Sequence, residues 1–260
     1  MGLDYIYQIP HIDGQKIVLY GASTSIVGLN EEYLSQKYQL LKACSGSATI
    51  QSYQVMKNYM EEENYQVNQD DIIKIDISPV LFKKNTLKNE VIVSALEYAS
   101  LYTVDDQLNV HRQPFYYISR FFGLNCRKIQ KAYEYISEYC QNGNYDQLFT
   151  STTNQWDHYD KLLSFDMGTK KQIESFILSY DNNPVVVDIL YMHSSLVNSN
   201  AGQLYNDYVD QELIPFLQAH DVSYIDSRYV VDDQYYIDNT HLSYAGCQLY
   251  SQYVNQILRE

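Results

Sequence analysis

Basic residues are scarce in this chain: 18 Lys and Arg stand against 32 Asp and Glu in 260 residues, a formal net charge of -14. The averaged field of such a surface repels phosphate backbones and anionic headgroups, which argues against nucleic acid and bare membrane as partners. Long apolar runs are missing too. No stretch reaches the roughly 18 uninterrupted apolar residues of a membrane span, and the opening MGLDYIYQIPHIDG has neither a basic region nor an apolar core. The expectation is a soluble chain with no direct membrane insertion, either cytoplasmic or extracellular with an anchor outside this sequence. Cysteine is sparse: Cys44, Cys126, Cys140 and Cys247 lie scattered, without CxxC spacing or a matching His pattern. That excludes a recognisable zinc site and leaves reduced, partly buried thiols. Internal repeats and low-complexity tracts are absent as well.

What is present is enough apolar material, 45% of residues, for one large core. A single domain over residues 1–260 is expected. The 28 tyrosines combine stacking rings with bonding hydroxyls, as a sugar-binding cleft would need, but their spread along the whole chain reads as compositional bias. Apolar runs at Lys16 to Tyr20, Tyr38 to Ala43, Ile72 to Ile77, Val185 to Tyr191 and Val222 to Asp226 alternate with helical stretches. Continuous rather than alternating hydrophobicity fits a parallel sheet covered on both faces, so the predicted fold is a three-layer α/β/α sandwich around five parallel strands. Asn30 with Glu31 and Glu32 predicts a helix start, and Ser47 an N-cap for a helix over Ala48 to Met60. A further helix is predicted over about 202–219, bent or divided at Pro215, and a last one with Tyr250, Tyr253, Val254, Ile257 and Leu258 on one stripe. From about Lys88 to Ser179 the rhythm breaks into a tyrosine-rich helical insertion, with a core-facing stripe of Ile129, Ala132, Tyr133, Ile136 and Cys140 and the only tryptophan, Trp156.

In open parallel sheets the crevice lies at the carboxyl ends of the strands. Ser23, Ser45 to Ser47, Ser78 and His193 follow apolar runs and should gather there. A serine hydroxyl is a poor nucleophile without a base in hydrogen-bond reach, and that base needs an orienting acceptor. Asp238 and His241, three residues apart on a loop before the last helix, can be that pair, with His241 facing Ser23. Negative charge on an acyl oxygen would be received by amides of Ser23 and Gly46. Each residue also has a plain structural reading: Ser23 as a helix N-cap, Asp238 as a cap for the last helix, His241 and His193 as satisfied core or surface histidines.

At these positions the chain resembles the SGNH, or GDSL-like, hydrolase superfamily. Gly21-Ala22-Ser23 holds the place of the family's Gly-Asp-Ser block after the first strand, Gly46 that of its glycine after the second strand, and Asp238-Asn239-Thr240-His241-Leu242-Ser243 its Asp-x-x-His block. The likeness runs over Lys16 to Ile77 and Pro184 to Leu258. It implies a flavodoxin-like strand order, Ser23 as nucleophile, His241 as base and Asp238 as orienter, with no cofactor. Two departures stand out: Ala22 replaces the acid before the nucleophile, and Asp76-Ile77-Ser78-Pro79 occupies the place of the Gly-x-Asn-Asp block, leaving Ser78 as a substitute oxyanion donor. Small residues before the nucleophile are similar to the branch of D-alanine transfer proteins and alginate-type O-acetyltransferases. That likeness implies an acyl ester and a carbohydrate or cell-surface polysaccharide as substrate, and His193, from its place after the fourth apolar run, is a candidate substrate contact.

Two other classes compete. A catalytically inactive SGNH-like binding or assembly module would explain the missing asparagine. A nucleotide-dependent reductase would use Gly21 to Gly28 as a dinucleotide turn, but the glycine pattern is broken and Ala43-Cys44-Ser45 lacks the carboxylate required after the second strand.

Overall fold

Strand β1, Gln15–Gly21, is the second strand of a five-stranded sheet and is buried along nearly its whole length. In this computed structural model, which describes residues 14–34, 38–44, 48–62, 67–82, 102–104, 107–112 and 163–259, β1 runs straight into helix α1, Ser23–Gly28. Tyr38–Cys44 forms β2, Ile50–Glu62 forms α2 and Ile72–Ile77 forms β3. Tyr102–Val104 and Val110–Arg112 pair antiparallel as β4 and β5. Met167–Leu178 is α3, Val185–Ile189 is β6, Ser194–Val197 is α4 and Asn200–Tyr208 is α5. After a π turn at Val209–Leu213 come α6, Ile214–Ala219, then β7, Ser223–Asp226, and α7, Tyr244–Ile257.

The sheet order is β2-β1-β3-β6-β7 and every pairing in it is parallel. Counting those strands alone gives 2-1-3-4-5, the flavodoxin-like doubly wound order, with the reversal between β1 and β3. Period-two alternation divides the side chains between two cores. Val18, Tyr20, Ile73, Ile75, Val187 and Ile189 pack with Tyr53 and Met56 of α2, Phe176 of α3 and Tyr205 of α5. On the other face Ile17, Leu19 and Ile72 meet Leu29 and the α7 stripe of Tyr250 and Val254. The result is the three-layer α/β/α sandwich.

Local chemistry explains where elements depart from expectation. The helix predicted at Asn30 is a single 3-10 turn, Glu31–Tyr33, in which Asn30 Oδ1 accepts from the Glu32 amide at 3.0 Å. The helical turn of this region lies earlier, at α1, directly after β1. The helix predicted from Ala48 starts at Ile50, and Ser47 lies outside the described residues. The helical stretch over 200–219 is divided into α5, the π turn and α6, and the division falls just before Pro215, the second residue of α6. Proline offers no amide to the carbonyl four residues back, and the π turn just before it, in which the Ile214 amide reaches Val209 O, accommodates that loss. Of the range 88–179, β4, β5 and α3 are described; the stripe from Ile129 to Cys140 and Trp156 lie outside the described residues. Among the described residues, no helix is long and apolar enough to cross a membrane, and no cluster of three or more His, Cys, Asp or Glu could hold a metal ion.

Candidate active site

Ser23 stands at the carboxyl end of β1 as the first residue of α1. Ala22 occupies the N-cap with an extended backbone and no side-chain bond, so Ser23 is not capping its own helix. Its hydroxyl instead lies 3.0 Å from His241 Nε2. His241 Nδ1 lies 2.8 Å from Asp238 Oδ2. The second carboxylate oxygen, Oδ1, accepts from the Thr240 amide at 2.7 Å, the Thr240 hydroxyl at 2.9 Å and the His241 amide at 2.7 Å. Burial works to raise the Asp238 carboxyl, but the hydrogen bond and charge of His241 and the two amides outweigh it and lower it to about 2. An ionised Asp238 accepts the Nδ1 proton and leaves Nε2 free to accept from Ser23.

The loop that aims these groups is held at both ends. Tyr236 bridges to Leu242, the Ile237 amide donates to His241 O at 2.9 Å, and the Ser243 amide donates to Tyr235 O at 2.8 Å. Helix α7 then starts at Ser243, whose hydroxyl accepts from the Gly246 amide at 3.2 Å. Ser243, not Asp238, is the cap of the last helix. Gly246 is required by space: a Cβ there would come within 2.4 Å of Tyr235 O.

No protein-family model matches the sequence, and no curated protein matches it. Among solved structures, the chain is similar to a member of the lipolytic protein G-D-S-L family from Veillonella parvula DSM 2008, with a TM-score of 0.46 and 10% identity over 95% of this chain and 100% of that one. A carbohydrate acetylesterase family member from Sinorhizobium meliloti aligns with a TM-score of 0.39 and 10% identity, covering 94% of this chain and 97% of that one.

Of the other residues singled out from sequence, Gly46 lies outside the described residues. Ser78 is buried immediately after β3, the strand beside β1, and its carbonyl accepts from the Leu81 amide at 3.1 Å. His193 follows β6 and caps α4: its Nδ1 accepts from the Ser195 amide at 3.1 Å and lies 2.8 Å from the Ser195 hydroxyl. Its ring meets Tyr236 edge-on at 5.2 Å, and Nε2 lies 3.8 Å from Asp233 Oδ1. His193 therefore braces the loop that carries Asp238 and His241. Cys44 ends β2 with its thiol donating to Leu19 O at 3.3 Å, and both it and Cys247 are buried and outside any disulfide.

Sequence reasoning passed over a charged group inside the sheet. Lys74 and Asp76 alternate with isoleucines on β3, and Asp76 pairs across the sheet with Asp188 of β6. All three side chains are fully buried, with Lys74 Nζ 2.7 Å from Asp188 Oδ2 and also bonded to Asp76 Oδ1. Asp188 further accepts from Ser227 Oγ at 2.7 Å and Tyr250 Oη at 2.5 Å. The signal was the Lys-x-Asp spacing within an otherwise apolar strand, which places both charges on one face.

Proposed function

We propose that this chain is an acyl-ester hydrolase or O-acyltransferase of SGNH type acting on a carbohydrate, with Ser23 as nucleophile, His241 as general base and Asp238 as its orienter. The reading is carried by the continuous relay from Ser23 Oγ through the two nitrogens of His241 to Asp238 Oδ2, at 3.0 and 2.8 Å. Both spacings fall within the range for nucleophile activation.

In the forward step the Ser23 oxygen attacks the ester carbonyl while its proton passes to His241 Nε2. Asp238 stabilises the imidazolium and does not itself take the proton. The oxyanion is received by the Ser23 amide, with the Gly46 amide and the Ser78 hydroxyl as the second and third donors. His241 then gives the proton to the leaving alkoxide, leaving acyl-Ser23. Water or a sugar hydroxyl, deprotonated by the same imidazole, resolves that ester; the first outcome is hydrolysis, the second transfer. In this reading a bacterial surface polysaccharide is the acyl donor or acceptor, and His193 lines the substrate side of the loop.

The test is turnover of a generic aryl acetate by the wild type and by Ser23→Ala. The proposal expects turnover that falls to the uncatalysed background in the variant. Equal rates would remove Ser23 from the chemistry, and no turnover by either would favour the inactive binding module.

A further inference from the structure

Buried polar groups in folded proteins are nearly always partnered. Two that are not stand next to each other around Gly21, two positions before Ser23 in the chain. Asp76 Oδ2 and Ser25 Oγ are both buried and neither completes a hydrogen bond. Asp76 lies one residue beyond the Tyr20–Ile75 pair of β1 and β3, which puts it beside Gly21. Ser25 packs directly over Gly21: a Cβ added to that glycine would fall 2.1 Å from Ser25 Oγ. The Ser25 hydroxyl thus faces the Asp76 carboxyl, near enough to favour its ionised form.

The remaining bonds of this group are committed. Asp188 is engaged by Lys74, Ser227 and Tyr250. Asp76 gives its Oδ1 to Lys74, so Oδ2 is the one carboxylate oxygen of the pair left to act on something else. What it faces is the first turn of α1, whose Ser25 amide already bonds to Ala22 O at 3.0 Å.

We propose that Asp76 is a positioning residue for the nucleophile, closing a hydrogen bond with Ser25 that fixes the first turn of α1 and with it the aim of the Ser23 hydroxyl. This rests on the acyl-serine reading above and adds a residue to it. A rotation of the Ser25 side chain closes the bond, with the hydroxyl donating to ionised Oδ2. A charge-assisted bond of this kind is about twice as strong as its neutral counterpart, so protonating Asp76 loosens the turn. The titratable and polar groups around Asp76 are Lys74 on its own strand, Asp188 on β6, Tyr191 just after β6, Ser25 on α1, Cys44 on β2, Tyr53 on α2 and Tyr250 on α7. Burial in their midst pushes the Asp76 carboxyl up to about 6 against the pull of Lys74. The helix turn is therefore tightest above that pH.

The experiment is the rate of Ser23 modification by a fluorophosphonate across pH 5 to 9, for the wild type, Ser25→Ala and Asp76→Asn. The proposal expects each variant to react roughly tenfold more slowly at pH 8, the worth of one net hydrogen bond. It also expects the wild-type acid limb to fall more steeply than either variant's, since two groups rather than one control it. Should Asp76→Asn fail to fold, Ser25→Ala decides alone, since it leaves the Lys74 contacts in place. Rates within twofold of the wild type and an unchanged acid limb would overturn the role of Asp76 while leaving the serine reading intact. A wild type that is never labelled would overturn both.

Discussion

Ser23 and His241 are separated by 218 positions in the chain, and their side chains meet at 3.0 Å. The approach is produced by topology. Parallel strands bring all βα turns to one edge of the sheet, and α7 packs on one face of the sheet through Tyr250 and Val254, so the loop ahead of it reaches α1 at that edge.

Asp238→Asn keeps the volume and reverses the hydrogen-bonding sense. An amide nitrogen facing His241 Nδ1 stabilises the tautomer whose Nε2 carries the proton, and that nitrogen cannot accept from Ser23. Turnover of an aryl ester should fall by roughly 10^3- to 10^4-fold, with the loss in kcat and little change in KM. A loss below about tenfold would assign Asp238 to loop structure alone, and steady-state kinetics on the two proteins decides it.

The pH dependence has two separate origins. Activity falls on acidification because a protonated imidazole cannot accept the serine proton. Asp238 adds nothing to that limb, since its carboxyl stays ionised until about pH 2. Its effect is on stability instead. A carboxyl lowered on folding contributes stability that is fully present above its unfolded value, near pH 4, and is lost as pH falls through about 2. Thermal unfolding of wild type and Asp238→Asn should therefore differ by a constant amount above about pH 5, and the difference should shrink on titration toward pH 2. A gap that widens on acidification would reverse the sign.

Gly246→Ala tests the loop rather than the chemistry. The new methyl group would meet Tyr235 O at 2.4 Å, a backbone atom that cannot swing aside as a side-chain end would. Overpacking of this kind typically costs about 1–3 kcal/mol. Because Tyr235 O also holds the Ser243 amide at 2.8 Å, the displaced loop should carry His241 off Ser23 and lower kcat as well. Chemical denaturation read beside turnover would show whether the two losses occur together.

Much of the architecture was legible because burial on both faces leaves an unmistakable mark. The apolar run of β3 was read at its observed bounds, Ile72–Ile77, and the remaining four central strands within a residue or two. What escaped detection was short or non-local. The turn-to-helix junction at Ser23 was foreseen, but the six residues of α1 are too few for a 3.6-residue period to mark its length, and the helix start expected at Asn30, Glu31 and Glu32 is a single 3-10 turn. The π turn could be foreseen only as a disturbance at Pro215. Lys74, Asp76 and Asp188 sit in strands that look uniformly apolar, and their mutual satisfaction exists only once β3 lies beside β6. The three residues of the candidate site were named from spacing and resemblance, and the fold brings their side chains into one hydrogen-bonded chain.

The central claim is an acyl group carried on Ser23, and the direct measurement is peptide mapping by mass spectrometry after brief exposure to an aryl acetate and acid quench. The account predicts one acetyl group on the tryptic peptide from Ile17 to Lys37, localised by fragmentation to Ser23 and absent from Ser23→Ala. An acetyl group elsewhere, one that persists in Ser23→Ala, or none in a wild type that turns the ester over would contradict it.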